Sequence, residues 1–354
     1  MMLDRRTRIV RGALRLAGAV TLRLLTRTCI SGREHLNVPG PVIYAANHTS
    51  TFDALLLFVL LPPDTVFVGP GDFELLWPAN WIVRRAGLIL MKRGAVDREG
   101  LKQMLAHLQA GGRLGIFPEG GTWEKPIDAV KSGAAYLSQA AQAAIVPMAF
   151  GNTYQVWGRI LRLRFPRLTV TIGPPLPPVP PSADRHRRQA ELDAASLALM
   201  QTIYAMLPPE TQAHYDRQAR LRFRGELLFR PDARYLPPTP SLDALAELVA
   251  KPNLFSPLRY NARLPVRPFA RQGHFVRPRA MKRAADALSA AFAAGDFASY
   301  LEYRLGEAKA AEIRAALAMI SAAMDDAEAD GVRVAFRAHV CEQADDPASA
   351  SPAV

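Results

Sequence analysis

Cysteine is nearly absent from this chain: Cys29 and Cys341 are the only two among 354 residues. Two thiols without a Cys-x-x-Cys spacing exclude a disulfide framework and a structural zinc site, and they point to a reducing compartment. The seven histidines show no metal-ligand spacing either, so no metal is expected. Long apolar runs are also missing. A helix that spans a bilayer needs about 20 apolar residues, whereas Ala54–Leu61 and Ala86–Met91 are far shorter. No span is expected. The arginines spread through Met1–Arg27 interrupt any secretory h-region, so this segment is expected to stay on the mature protein. Acidic side chains are in deficit, with 32 Asp+Glu against 44 Lys+Arg, a formal charge of +12 and a pI near 10.1. That balance favours an anionic partner and does not choose among a lipid surface, nucleic acid, phosphate and an acidic protein. The residues that are present, 49% hydrophobic and 21% charged, suffice for a sizeable core and two domains and exclude disorder throughout.

At about 100° per residue, Arg8, Arg11, Arg15, Arg23 and Arg27 fall on one side of a helix, and Val10, Ala13, Leu14, Ala17, Leu24 and Leu25 on the other. Residues 1–29 are therefore expected to form a basic amphipathic helix. Two readings of it stand. It is an interfacial anchor whose arginines meet anionic head groups, each worth about 1 kcal/mol near the surface, or it packs on its own domain with a solvated arginine face.

Pro41–Ala46 reads as a short buried strand after the Pro39-Gly40 turn, and Phe52–Leu61 as the helix that follows. Further strands are expected at Thr65–Gly69, Leu88–Lys92, Leu114–Phe117, Ile145–Phe150 and Leu168–Ile172. Helical patterns at Trp77–Ala86, Arg98–Ala110 and Ala129–Gln142 separate them. This alternation predicts an α/β domain with a mostly parallel central sheet flanked by helices. Polyproline at 173–181 ends the strands, and a helix over Ala183–Leu207 stops at Pro208-Pro209, which places this domain at 30–210. The remainder, 211–345, is expected to be mainly helical: a basic helix around Ala213–Phe229, a short one over Leu242–Ala250, alanine-rich helices over Ala280–Ala329 and one strand at Val332–Val340. Residues 346–354 read as a disordered tail.

Three short strings carry candidate chemistry. Asn47-His48-Thr49-Ser50-Thr51-Phe52-Asp53 follows the first strand, and a strand-to-helix turn can bring His48 and Asp53 together. A carboxylate then holds the imidazole in one tautomer, and the ring can take a proton from an alcohol attacking an acyl group. An isolated pair at this spacing is more often an N-capped turn with an incidental histidine. Gly115-Ile-Phe-Pro-Glu119-Gly-Gly-Thr122 ends another strand, and its exposed N–H groups suit a phosphate or an oxyanion while Glu119 can fix a hydroxyl. Leu88-Ile-Leu-Met-Lys92-Arg93-Gly94 ends on two cations, which serve phosphate recognition or merely surface charge.

These strings, in this order, resemble the glycerolipid acyltransferase family, best known for the lysophosphatidic acid acyltransferases. Asn47-His48 through Asp53 matches the family's Asn-His-x4-Asp motif, which implies His48 as general base and Asp53 as its orienting partner. Arg93 sits where the second motif places a phosphate-contacting arginine, and Phe117-Pro118-Glu119-Gly120 matches the third, acceptor-binding motif. Val146-Pro147-Met148 resembles the fourth motif, and Lys131-Ser132-Gly133-Ala134-Ala135 the family's Lys-x-Gly-Ala-Ala helix start. One departure stands out: the family usually follows Glu-Gly with Thr-Arg, whereas this chain has Gly121-Thr122-Trp123, so Lys125 or Lys131 substitutes or the acceptor differs. The resemblance implies direct acyl transfer from a thioester of coenzyme A or acyl carrier protein to a glycerolipid hydroxyl in phospholipid biosynthesis. Asn47, Arg93, Glu119, Gly120, Gly121 and Lys131 would bind substrate, with oxyanion donors near Gly120-Gly121. It implies neither metal nor bound cofactor, and a cytoplasmic enzyme held peripherally on the inner face of the cell membrane.

Nothing after Pro209 is covered by the resemblance. Residues 248–285 hold no acidic side chain, and there Arg259, Arg263, Arg267, Arg271, Arg277 and Arg279 are interleaved with Tyr260, Phe269 and Phe275. Cations with aromatics can bind single-stranded nucleic acid, but this segment is short, proline-bearing and without a nucleic-acid fold signature. A solvated loop or lipid-facing patch is preferred. A catalytically silent lipid-binding protein is the other rival, and it gives no reason for an intact His48 and Asp53.

Overall fold

Short β-branched and apolar segments, each followed by an amphipathic helix, assemble the first half of the chain. A computed structural model describes residues 5–71, 79–91, 97–122, 126–128, 130–182, 184, 186–231, 235–236, 240–294 and 297–343. Two compact units are present: residues 1–92 with 96–216, and 93–95 with 217–354.

The first unit is a seven-stranded sheet: β1 (Arg27–Ser31), β2 (Val42–Ala46), β3 (Val66–Pro70), β4 (Ile89–Met91), β5 (Arg113–Ile116), β6 (Ala144–Gly151) and β7 (Arg167–Ile172), in the order β1-β7-β6-β2-β5-β3-β4. Among the described strands every neighbouring pair is parallel except β6 with β7. The helices are α1 (Arg5–Leu25), α2 (Phe52–Leu60), α3 (Ala79–Arg85), α4 (Arg98–Gln109), α5 (Gly133–Ala141), α6 (Val156–Leu161) and α7 (Arg188–Ala205). Helix α8 (Pro209–Arg220) follows.

Strand β2 is wholly buried, and its side chains alternate between two cores, as a strand covered on both faces requires. Ile43 and Ala45 join Met104 and Leu108 of α4, Leu137 of α5 and Met200 of α7. Val42, Tyr44 and Ala46 join Phe52 and Leu56 of α2, Leu22 of α1 and Val156 of α6. Each large apolar side chain so buried contributes about 1.5–3 kcal/mol. The β6-β2-β5 order places the carboxyl ends of three parallel strands side by side, and both chemistry-bearing turns leave from that edge.

Three expectations need correction. The first helix ends at Leu25, and β1 begins at Arg27, because Thr28 and Ile30 are β-branched and pair onto β7 with the rest of Arg27–Ser31. Its faces also differ from the expected ones. Arg11 is buried and gives an Nη2 hydrogen bond to the Thr65 carbonyl, while Arg15 donates to the Phe58 and Val59 carbonyls at 2.7 and 3.0 Å. Those two carbonyls lie in the last turn of α2, where unpaired C=O groups and the helix dipole attract a cation. Gly18 permits this packing, since a Cβ there would lie 2.6 Å from Val59 Cγ2 and 2.8 Å from Leu55 Cδ1. The outer side of α1 consequently carries exposed Ile9, Leu16, Val20 and Leu24.

The third correction lies in the second unit. The helix expected around Ala213–Phe229 stops at Arg220, and β8 (Leu221–Arg230) takes over. Leu221, Phe223 and Leu227 alternate with Arg222, Arg224 and Glu226, a period of two that no helix face satisfies. Strand β8 pairs antiparallel with β10 (Arg333–Glu342) from Leu221 against Glu342 to Arg230 against Arg333, and β9 (Tyr235–Leu236) pairs on its other edge. The rest of the unit is helical: α9 (Pro240–Ala250), α10 (Pro252–Ser256), α11 (Arg267–Ala270), α12 (Pro278–Ala293), α13 (Tyr300–Leu305) and α14 (Glu307–Ala329). The expected tail at 346–354 lies outside the described residues.

Arg11 is the costliest group in this packing. Its guanidinium sits over Phe58 and Phe67 at 5.6 and 5.4 Å, and burial followed by the neighbouring Arg15 charge lowers its pKa. Asp64 opposes the shift only in part, and Nε and Nη1 of Arg11 are buried without a hydrogen-bond partner among the described residues, so an apolar side chain of similar length relieves a desolvation cost that the cation does not recover. Arg11→Met is therefore expected to leave unfolding free energy within ~1 kcal/mol of the parent or raise it, whereas Arg11→Ala, which opens a void, costs about 2 kcal/mol or more. Urea unfolding of both variants measures the difference, and a large loss in Arg11→Met would show that the carbonyl contact outweighs desolvation.

Candidate active site

Strand β2 delivers Asn47 and His48 to the carboxyl edge of the sheet, and the chain turns there into α2. Asp53, in the first turn of α2, reaches back so that Oδ2 accepts the Thr49 and Ser50 amides, each at 2.8 Å. The same oxygen lies 3.2 Å from His48 Nδ1. Asp53 is fully buried and His48 only slightly exposed. With Nδ1–H directed at the carboxylate, the neutral ring presents Nε2 as an acceptor, and among the described residues no partner engages that nitrogen. Phe117 stacks on the imidazole at 3.8 Å and 10° between planes, which fixes the ring from its other face.

Asn47 staples this turn to β6: its Oδ1 accepts the Phe150 N–H at 2.7 Å and its Nδ2 donates to the Phe150 carbonyl at 3.1 Å. Thr49 and Thr153 share a hydroxyl contact of 2.9 Å just beyond. These bonds satisfy buried polar groups that would otherwise weaken the loop.

The second turn leaves β5. Gly120 takes a φ of 75°, a left-handed conformation that favours glycine, and its N–H donates to the Phe117 carbonyl at 2.9 Å. Glu119 is thereby turned inward, where Oε1 accepts the His48 amide at 2.7 Å and the Tyr215 hydroxyl at 2.9 Å. Burial drives the Glu119 carboxyl up to about 8; the two donors pull the other way, and the Asp53 charge adds to the rise. Burial first, and then Glu119, also raise the Tyr215 phenol well above its ordinary value. The Lys131 amide donates to the Pro118 carbonyl at 3.1 Å, so the backbone of Lys131 lies against this turn while its side chain is exposed.

The fold thus brings together Asn47, His48, Asp53 and Glu119 with Gly120, Gly121 and the backbone of Lys131. Arg93 and Lys125 lie outside the described residues. Tyr215 was not legible as a site residue: it stands in α8, beyond the last recognisable motif, and no local pattern ties it to Glu119, which is 96 residues away. Among the described residues no group of three His, Cys, Asp or Glu side chains is arranged to hold a metal.

A buried carboxylate–imidazole pair at the carboxyl edge of a mostly parallel sheet in an α/β domain is an arrangement able to move a proton. Residues 27–151 match the Acyltransferase family model. A lyso-ornithine lipid O-acyltransferase of Pseudomonas aeruginosa is 35% identical over 105 residues, which are 28% of this chain and 40% of that protein. A 1-acyl-sn-glycerol-3-phosphate acyltransferase of Chlamydomonas reinhardtii is 29% identical over 192 residues, 52% of this chain and 54% of that one. The Saccharomyces cerevisiae protein of the same description is 29% identical over 133 residues, 35% and 43% of the two chains. The chain therefore spans about half, or less, of the length of these relatives. The crystal structure of the 1-acyl-sn-glycerophosphate acyltransferase PlsC from Thermotoga maritima aligns at a TM-score of 0.40 with 18% identity, over 58% of this chain and 85% of that one.

The Glu119 carboxyl gives a signed pH dependence. The folded protein keeps a proton there that the unfolded chain loses at its ordinary value of 4.5, so this group's contribution to stability declines as pH rises from 4.5 to about 8. Glu119→Gln, neutral throughout, is expected to flatten the fall of Tm over that window. Tyr215→Phe removes a donor that favours the charged form, and is expected to extend the window to higher pH. Thermal melts across pH check both, and an unchanged slope in Glu119→Gln would show that the carboxyl is already ionised.

Proposed function

We propose that this protein moves a fatty acyl group from a thioester of coenzyme A or acyl carrier protein to a hydroxyl of a lysophosphatidic-acid-like glycerolipid, with His48 as general base and Asp53 as its orienting partner. The supporting observation is the 3.2 Å contact between His48 Nδ1 and a fully buried Asp53 inside an acyltransferase-family domain. In the proposed step His48 Nε2 takes the acceptor hydroxyl proton as the oxygen bonds to the acyl carbon. The carbon–sulfur bond then breaks, and the proton passes to the departing thiolate. Of the Gly120-Gly121 pair, the Gly120 amide is engaged by the Phe117 carbonyl, so the Gly121 amide is the backbone donor proposed to meet the oxyanion. Arg93 and Lys131 meet the phosphate, and a protonated Glu119 can donate to an anionic acceptor where a carboxylate would repel it. No bound cofactor or metal enters this step.

The acceptor is expected at a membrane surface. Among the described residues no helix is long and apolar enough to cross a bilayer. The outward stripe of α1 is exposed at Ile9 (63%), Leu16 (68%) and Leu24 (63%) and is flanked by exposed Arg5, Arg6, Arg8 and Arg23, which supports peripheral docking on an anionic leaflet, proposed as the inner face of the cell membrane.

A second acceptor class has its own support. Gly121-Thr122-Trp123 replaces the arginine that usually follows the third motif, and one relative bears the name lyso-ornithine lipid O-acyltransferase. A phosphate-free lyso-lipid would need no arginine there.

Purified protein is incubated with labelled palmitoyl-coenzyme A, then with the acyl carrier protein thioester, against lysophosphatidic acid, lyso-ornithine lipid, other lysophospholipids and neutral glycerides. One acylated product is expected, reduced by about 10²–10⁴-fold in a folded His48→Ala variant. Equal turnover in that variant would sink the mechanism. Silence on every acceptor with both donors would sink the reaction.

A further inference from the structure

Besides α1, and Trp81, Ile82 and Leu90 in α3 and β4, exposed apolar side chains gather in the first unit at the turn that carries α6 into β7, where the exposure is highest. Trp157 is 44% exposed, Leu161 83%, Leu163 71% and Phe165 44%. The buried side of the same short helix, Val156 and Ile160, belongs to the core, so the outward residues are presented from a fixed base. Their backbone is unusual. Among the described residues, four of the six non-glycine positions with positive φ lie between 152 and 165, including Leu163 at 53° and Phe165 at 39°. Bulky apolar residues rarely take this conformation, and nothing in local packing rewards it when the side chains face water. Arg159, Arg162 and Arg164 are exposed in the same turn, and no acidic residue occurs between Asp128 and Asp184.

We infer that residues 157–165 form a second membrane wedge, in which Leu161, Leu163 and Phe165 enter the acyl region of an anionic bilayer while the neighbouring arginines hold its head groups. Charge decides the occupant: a segment that brings three exposed arginines and no carboxylate of its own suits an anionic lipid surface better than a typical protein interface, whose core is depleted of charge. The wedge lies next to β1, the strand that follows α1, since the Arg27 amide at the start of β1 donates to the Pro166 carbonyl at 2.9 Å. It is also bonded to the candidate active-site turn. Trp157 Nε1–H donates to the Thr51 hydroxyl at 2.9 Å, and its ring meets Phe52 edge to face at 5.1 Å. If the proposed function holds, on which only this orientation rests, an acceptor lipid in the leaflet reaches His48 from the wedge side.

The test measures binding without turnover. The whole protein is sedimented with vesicles of phosphatidylglycerol in phosphatidylcholine and with vesicles of phosphatidylcholine alone. Fluorescence is quenched by brominated acyl chains, with Trp157→Phe to isolate the Trp157 signal. Binding to the anionic vesicles and quenching of Trp157 are expected. Leu161→Asp with Leu163→Asn should weaken that binding about tenfold or more. Asparagine favours the left-handed backbone at 163, so Tm should hold or rise, an outcome that a structural role for Leu163 would reverse. Unchanged vesicle binding in the double variant, unquenched Trp157, or loss of a dimer in place of vesicle binding would overturn the wedge, the last in favour of a second copy of the chain. Vesicle binding without acyl transfer on any acceptor would sink the proposed function and leave the wedge standing.

Discussion

One carboxylate oxygen organises the candidate site. Asp53 Oδ2 gathers the Thr49 and Ser50 amides and the His48 ring, while Oδ1 has no hydrogen-bond partner among the described residues. Burying that charge is costly unless donors meet it, and the turn between β2 and α2 supplies them from its own backbone together with the amino end of the α2 dipole. The turn cannot open without stranding the carboxylate. The imidazole is therefore held by the same bonds that hold the loop, and the geometry of the site and the stability of the turn are one constraint.

The same logic runs outward from this point. Glu119 is the second buried carboxyl at the sheet edge, and its two donors are insufficient to offset desolvation with Asp53 nearby, so it is driven toward the neutral form. On the far side of α2, Arg11 and Arg15 meet the carbonyls that its last turn and the following loop leave open. Sequestering these arginines beside the buried Leu22 leaves Ile9, Leu16, Val20 and Leu24 of α1 facing outward, unlike a simple helical wheel with solvated cations.

The α/β alternation was legible because β2, β5 and β6 are short apolar runs bounded by turn residues, a pattern set by local chemistry. The turn of Asn47–Asp53 and that of Phe117–Gly120 were legible for the same reason, since each is contiguous. Tyr215 was not, because its role depends on where α8 packs after the sheet has closed. Strand β8 was misread as helix since its arginines satisfy a basic-helix count, and only the pairing with β10 reveals that Leu221, Phe223 and Leu227 share one face. The inward turn of Arg11 and Arg15 was equally hidden: a wheel shows which residues share a side and says nothing of which side meets the protein.

The cation-rich stretch from 248 to 285 illustrates how packing decides between two anionic partners of equal charge appeal. Binding single-stranded nucleic acid requires aromatic faces left open for bases. Phe269 is instead fully buried and meets Phe336 edge to face at 5.4 Å. Phe275 carries the Arg230 guanidinium over its ring at 4.3 Å, and Tyr260 carries that of Arg259 at 4.8 Å. One ring is in the core and the other two each carry one of this chain's own cations, and of the three only Tyr260, at 48%, is exposed, so the interleaved aromatics of the sequence do not form a row of open faces. In the first unit the apolar residues of α1 and of the turn after α6 remain uncovered beside arginines. Open apolar surface next to exposed arginines is an arrangement that a head group and an acyl chain satisfy together, and the proposed membrane docking rests on it.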